Sequence, residues 1–293
     1  MTKKDHPLVL TNDSMKFFLI ILEFYIYSNI HVALSVWSMS MITGRYFSID
    51  TSSTSLFLAL STFVSYNGIR FLKFKTELLR KEINSWFSHH LKLLIGLILI
   101  SIIKIIELVA QLSLVELGIL FPFVAFTMLY MIPIIKIKGH SYSLRKIPRF
   151  KIFCISISWV GLVAFFPLAK SSLHIGFEEI IFFIQQFVFI LVLTLPFDIR
   201  DMNFDPKELK TIPIVLGVYK TKLLAIVLLL AMNIISFSYF NYREFIVMFF
   251  VSFLLGVLVL NSRRKQSKYY ASFWIEGIPI LWLLLSYVFD FIA

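Results

Sequence analysis

Long apolar runs alternate with short polar connections along most of the chain. An apolar run of about 17–25 residues is long enough to cross the hydrocarbon core of a bilayer as a helix. Nine such runs occur, at approximately residues 17–42, 53–72, 92–111, 115–135, 152–170, 179–199, 221–240, 243–261 and 272–292. The pattern predicts an all-α, polytopic membrane protein in which residues 1–293 form one transmembrane domain. Residues 1–16 are expected to be a polar N-terminal tail.

The composition supports the same class. Hydrophobic residues make up 59% of the chain and the mean hydropathy is +0.85, whereas soluble domains contain about 45–50% apolar residues. A single cysteine, Cys154, lies in an apolar segment. An internal disulfide and a cysteine-based metal site are therefore excluded.

The charge pattern predicts the orientation of the chain. Although the formal net charge is +11, basic residues are concentrated in the N-terminal tail and in the second, fourth, sixth and eighth connections. The only lysines and arginines of the odd connections are Arg45, Lys170 and Arg243. By the positive-inside rule, the N-terminus and the even connections are cytoplasmic, and the protein is expected in the cell (inner) membrane. The basic charge is thus a topological signal, and nucleic acid is not an expected partner.

Three aspartates, Asp198, Asp201 and Asp205, follow one another with the spacing D-x-x-D-x-x-x-D at the end of the sixth segment. At about 100° per residue they lie within roughly 60° of one another on a helix. A divalent cation relieves the repulsion between such carboxylates, and hard oxygen ligands suit Mg²⁺. We therefore predict that all three are catalytic, metal-binding residues. Lys210 and Thr211 would supply a cation and a hydroxyl to a bound phosphate. The alternative is a solvated acidic helix end.

This stretch resembles the second aspartate-rich motif of the UbiA-type intramembrane prenyltransferases, in which the three acids are followed by a K-T-[LI]-P-x-x-x-G tail. The tail stands here as Lys210, Thr211, Pro213 and Gly217. The resemblance implies about nine helices around a central cavity, with Mg²⁺ holding the diphosphate of a polyprenyl donor. It covers the topology of nearly the whole chain but only about twenty residues of its sequence.

The first motif of that family, N-x-x-x-D-x-x-x-D at the end of the second helix, is not conserved here. Asn67 matches its asparagine, whereas Phe71 and Lys75 stand where the two acids would be. In one interpretation Arg70, one turn from Asn67, replaces a metal as the counter-charge of the diphosphate, together with Lys73 and Lys75. In another, the half-site is inactive. The bases could also be only the positive-inside signal of this connection.

The basic fourth connection contains two further candidate phosphate ligands, Arg145 and Lys146. The same charges could instead contact anionic membrane lipids. The leading hypothesis is a UbiA-like prenyltransferase that transfers a polyprenyl group from a polyprenyl diphosphate to an aromatic or other lipid-soluble acceptor. The alternatives are a non-catalytic or transport-like lipid-binding membrane protein and a basic scaffold for anionic lipids.

Overall fold

A computed structural model describes residues 12–76, 81–132, 135–137, 140–171 and 175–292. This part of the chain is almost entirely helical, with one short antiparallel hairpin (β1 Ile135–Ile137, β2 His140–Tyr142). The α-helices are α1 Asn12–Tyr27, α2 Ile30–Tyr46, α3 Ser52–Lys75, α4 Lys81–Ala110, α5 Leu114–Met131, α6 Lys151–Val160, α7 Phe166–Lys170, α8 Phe177–Asp201, α9 Ile212–Tyr239, α10 Tyr242–Asn261 and α11 Ile278–Ile292. π-Helical turns at Gly161–Phe165 and Tyr270–Ile275 connect α6 to α7 and precede α11.

The helices are those of a multi-pass membrane protein. Among the described residues, seven helical spans are long and apolar enough to cross a bilayer, and the bent pair α1–α2 would make an eighth. Helix α3 has the length, at 24 residues, but polar side chains recur along it. The predicted all-α membrane class is therefore confirmed, and the count of nine crossings stays a prediction.

The first predicted segment, 17–42, is not one straight helix. The chain bends by 62° between α1 and α2, where Asn29 adopts a left-handed conformation with φ 63°. Asparagine tolerates this conformation better than most residues. The Asn29 side chain donates to Asn67 Oδ1 on α3 (3.1 Å). A side chain distant in sequence thus supports the bend, which an apolar pattern alone does not reveal.

Helix α8 lies at the centre of the packing. Of its most apolar stretch, 61% is buried inside the protein, compared with 11% for α4 and 6% for α5. Phe189, Ile190 and Leu195 are completely buried, because α8 packs against α6, α9 and α10. A helix that is apolar on all sides requires such surroundings. The aspartate motif therefore ends a deeply enclosed helix, while α4 and α5 present apolar surface outwards.

The connections separate into two groups, as the charge pattern predicts. The fourth and sixth meet directly, since the Arg149 N–H donates to the Leu209 carbonyl (2.8 Å). Lys73 of the second connection lies within electrostatic range of Arg145 and Asp201. These contacts place the second, fourth and sixth connections at the same end of the helices, which we call the motif end.

The odd connections meet one another at the opposite end. Lys170 of the fifth connection is within electrostatic range of Asp50 of the first and of Glu116, next to the third. Arg45 forms an ion pair with Asp290 near the end of α11. Each long helix therefore runs between two ends of different charge, as expected for a chain that crosses a bilayer repeatedly.

Candidate functional site

The three motif aspartates are held by a helix end followed by a turn. Helix α8 ends at Asp201, and the N–H of Asp205 donates to the Asp201 carbonyl (2.8 Å). This turn carries Asp205 back towards α8. The predicted continuous helix through all three residues is therefore wrong beyond Asp201, but Asp198 and Asp205 still come together.

Lys151, the first residue of α6, joins these two carboxylates. Its Nζ lies 2.8 Å from Asp198 Oδ1 and 2.8 Å from Asp205 Oδ2. Lys151 is 6% exposed and Asp198 is 3% exposed, so water screens this ion triad poorly. One cation is thus shared between two acids and neutralises only one of their two charges, and the second oxygen of Asp198, Oδ2, is buried without a hydrogen-bond partner.

Asp201 is engaged separately. Its carboxylate receives two hydrogen bonds from the neighbouring Arg200 guanidinium, at 2.8 and 3.1 Å. In the part of the chain that the structure describes, no three His, Cys, Asp or Glu residues form a group ready to hold a metal ion. The donor chemistry nevertheless fits Mg²⁺, because carboxylates are its usual ligands and Asp198 Oδ2 is unused. Asp198 and Asp205 could hold such an ion once Lys151 moves.

The tail of the motif forms the start of α9. Lys210 is exposed, and its backbone is in the left-handed conformation (φ 46°). Thr211 is buried and is the N-cap residue of α9. The Thr211 hydroxyl has no hydrogen-bond partner, so it is free to bind a ligand. Gly217 interrupts α9 with φ 78°, a conformation that favours glycine. The two predicted ligands thus lie beside the aspartates, with Thr211 the better enclosed.

Asn67 is completely buried and binds protein groups only. It accepts from Asn29 and donates to the carbonyls of Ser28 (2.8 Å) and Phe63 (2.9 Å). Both amide protons are therefore used, one at the bend between α1 and α2 and one within α3. In this arrangement Asn67 supports the site and offers no hydrogen to a substrate.

Arg70, one turn further along α3, is in the opposite situation. Its Nη1 is buried without a hydrogen-bond partner, and it forms no salt bridge within the described residues. An opposite charge within electrostatic range of Arg70 is Glu276, which follows the π-helical turn before α11 and is also within range of Arg200. A buried, unpartnered guanidinium N–H is costly. Arg70 is accordingly the described residue best prepared to receive an anion.

Two more cations stand near Arg70. Lys73 lies within electrostatic range of Arg70, Arg145 and Asp201. Arg145 also lies within electrostatic range of the Tyr66 and Tyr130 hydroxyls. Neither Lys73 nor Arg145 has a salt-bridge partner in the described ranges. Lys146 is exposed on the short 3₁₀ turn Leu144–Lys146, and no contact joins it to this group. We refer to Arg70, Lys73 and Arg145 as the cation group.

Two charged residues of this region, Lys151 and Glu276, were not predicted from the sequence as site residues. Lys151 is one basic residue among many in the fourth connection, and nothing in its local pattern separates it from the others. Glu276 did carry a signal, since an acid inside the ninth predicted segment is costly in a bilayer and usually functional. It now lies at the motif end, opposite Arg70.

Four other polar residues of the apolar segments, Glu23, Lys104, Glu107 and His31, have side-chain partners. Glu23 accepts from Lys268 Nζ and from the Tyr269 hydroxyl, both at 3.0 Å. Partial burial opposes the charge of Lys268, but its hydrogen bonds to Glu23, Tyr27 and Tyr269 together outweigh this and raise the pKa of Lys268. Lys104 pairs with Glu107 (2.7 Å). His31 contacts the Tyr25 hydroxyl and the Phe273 carbonyl. Glu23 and His31 thus connect distant segments, whereas Lys104 and Glu107 pair within α4.

An apolar groove of about 350 Å³ runs along the same helix that carries Arg70 and Lys73. It lies between α2, α3 and α4, and it is lined by Ile30, Ala33, Leu34, Trp37, Leu56, Ala59, Leu60, Phe63, Leu97 and Ser101. At 1.5 Å per helical residue, Phe63 is about 10 Å along α3 from Arg70. The groove thus ends about two helical turns before Arg70 on α3.

Comparison of the chain with models of known protein families, with curated proteins and with solved structures finds no match.

Proposed function

We propose that this protein is a UbiA-like prenyltransferase that moves a polyprenyl group from a polyprenyl diphosphate to an aromatic or other lipid-soluble acceptor. The observation that carries the proposal is Arg70, whose buried Nη1 has no hydrogen-bond partner and which lies within electrostatic range of Lys73, itself within range of Arg145 and Asp201. A diphosphate is the ligand that three such cations suit, because guanidinium and ammonium groups bind phosphate oxygens by charge-assisted hydrogen bonds.

Several residues of the motif end would bind the diphosphate of the donor and stabilise its charge. Arg70 binds the diphosphate through its guanidinium fork, and Lys73 and Arg145 add charge from the second and fourth connections. Thr211 donates its unused hydroxyl. As the bond between the prenyl carbon and the diphosphate oxygen breaks, negative charge grows on the diphosphate, and fixed cations stabilise it.

Mg²⁺ belongs to the same proposal. When bound by Asp198 and Asp205, with Asp201 adjacent, the ion would act as a Lewis acid on the leaving diphosphate. Asp201 forms an ion pair with the adjacent Arg200, so it would join the ion only when that pair opens.

The prenyl tail lies in the apolar groove, and this location predicts chain-length selectivity. Leu60→Trp places a larger side chain in the groove lined by α2, α3 and α4. We expect the affinity for a long polyprenyl diphosphate to fall about tenfold, the equivalent of about 1.4 kcal/mol. The affinity for a donor of one or two isoprene units should change little. Competition binding with donors of increasing length measures both values.

The matched control is Leu93→Trp, on the exposed surface of α4 and outside the groove. It should leave the affinities for all donors unchanged. Equal losses for short and long donors in Leu60→Trp would place the tail elsewhere.

We also propose nine crossings, with the N-terminus and the motif end cytoplasmic. The prediction is that cysteines replacing Lys207 or Lys265 resist a membrane-impermeant thiol reagent in intact cells, because both positions belong to basic even connections. A cysteine replacing Arg243 should react. The native Cys154 is completely buried and gives the unlabelled background. Labelling of the cysteine at position 207 from outside would mean that the protein has the opposite orientation.

The second candidate is a non-catalytic or transport-like protein that binds a lipid diphosphate. The specific observation that favours it is the first motif, where Phe71 replaces an acid and Lys75, in place of the other, lies over its ring at 4.7 Å. A second metal could not be held there in the usual way. The two candidates share the donor site and differ in whether the bond is cleaved.

One experiment separates them. The purified protein in detergent is mixed with prenyl diphosphates of several lengths and an aromatic acceptor mixture, with Mg²⁺ or with a chelator, and pyrophosphate release is measured. The prenyltransferase requires Mg²⁺-dependent release that disappears in Asp198→Asn. Donor binding without release at any chain length would favour the second candidate, and an absence of donor binding would contradict both.

A further inference from the structure

The ammonium of Lys151 occupies the oxygens that a metal ion would use. Its Nζ makes two short ion pairs, one to Asp198 and one to Asp205, each 2.8 Å long. A divalent cation bridging the same carboxylates needs the same space between them. Two cations in that space would repel strongly, because the surroundings are buried and their effective dielectric constant is low.

The ion triad is also incompletely satisfied. One ammonium balances one of two acids, and Asp198 Oδ2 is buried with no partner. A divalent cation would balance both acids and can take more oxygen ligands than an ammonium has protons. With Lys151 in place, the triad therefore keeps a net negative charge and an unused oxygen, both of which a divalent cation in place of the ammonium would satisfy.

We propose that Lys151 is a built-in competitor for the divalent cation at this site: the metal binds Asp198 and Asp205 only when the Lys151 ammonium leaves them. This inference rests on the metal site of the proposed function but not on catalysis. Lys151 is a positioning residue here, since it acts through the two carboxylates. The displaced ammonium is then available to the phosphate groups of a donor at the same end.

The consequence is a low intrinsic metal affinity that rises when Lys151 is removed. In Lys151→Met, the two acids keep their positions on α8 and on the turn that follows, and they lose their bound cation. We expect the affinity for Mn²⁺, measured by electron paramagnetic resonance on the full chain in detergent, to rise by about 10–100-fold, the range by which groups next to metal ligands change affinity. Lys151→Arg should bind no more tightly than the wild type, because the charge is retained.

The matched control is Lys207→Met, which removes an exposed lysine of the sixth connection and should leave Mn²⁺ affinity unchanged. Equal or weaker Mn²⁺ binding in Lys151→Met would overturn the inference. If the variant binds tightly but the wild type releases no pyrophosphate, the competition stands and the enzymatic proposal fails. The reverse result would retain the enzyme and reject the competition.

A measurement on the wild type avoids dependence on the folding of a variant. Lys151 is 6% exposed and should be protected from acylation by acetic anhydride when no divalent cation is present. Saturating Mn²⁺ should increase its acylation at least severalfold by peptide mass spectrometry, with Lys207 unchanged as the internal control. Unchanged protection of Lys151 would contradict displacement.

Discussion

Lys151→Met is expected to lower the free energy of unfolding by about 3–5 kcal/mol, the usual effect of removing one partner of a buried ion pair. The substitution leaves Asp198, which is 3% exposed, and Asp205 close together without their shared cation. Repulsion and lost solvation then act in the same direction. Chemical unfolding in detergent micelles, with a chelator present, measures the loss.

Two controls identify the cause. Lys207→Met, on an exposed lysine, should stay within about 0.5 kcal/mol of the wild type. Mg²⁺ should restore much of the stability of Lys151→Met, since a cation that binds only the folded state stabilises it. A Lys151→Met protein as stable as Lys207→Met under chelation would mean that the triad contributes little.

Arg70→Ala should weaken binding of a polyprenyl diphosphate by about 1.5–3 kcal/mol, the value of a hydrogen bond to a charged group. The Nη1 of Arg70 is buried and unpartnered before the polyprenyl diphosphate binds. The ligand therefore meets an N–H group that has already lost its water. Arg70→Lys should recover only part of the affinity, because an ammonium lacks the planar fork. Calorimetric titration with a donor in the presence of a chelator measures these losses.

The stability of Arg70→Ala provides the internal check. Arg70 forms no salt bridge in the described chain, so the variant should unfold no earlier than the wild type. Lys75→Ala, whose ammonium lies over the Phe71 ring at an exposed position, serves as the matched loss of one cation. Similar losses of affinity in both variants would indicate a diffuse effect of charge and no specific contact from Arg70.

The membrane class followed from the sequence alone, because the length and polarity of a segment decide whether it can lie in a bilayer. The alternation of basic connections likewise predicted which connections meet, and the contact between Arg149 and Leu209 agrees with it. These properties are sums over many residues. A single unusual side chain does not change them.

The site depended on particular contacts between distant segments. The spacing of Asp198, Asp201 and Asp205 predicted one shared face, yet their partners differ: Arg200 is adjacent in sequence to Asp201, while Lys151 is about fifty residues from the two acids that it joins. Asn67 matched a motif position, and only the bend at Asn29 shows that its amide protons are used inside the protein.

The sequence by itself therefore determined that this chain is a helical membrane protein, which connections share one end, and that acids and bases accumulate there. The tertiary structure decided which of those charges neutralise one another and which, such as Arg70, stay unpaired. The physical reason is range. Burial in a bilayer depends on the average polarity of a segment, whereas an ion pair requires two atoms to lie within about 4 Å of each other. Here the packing of α6 against α8 decides that distance.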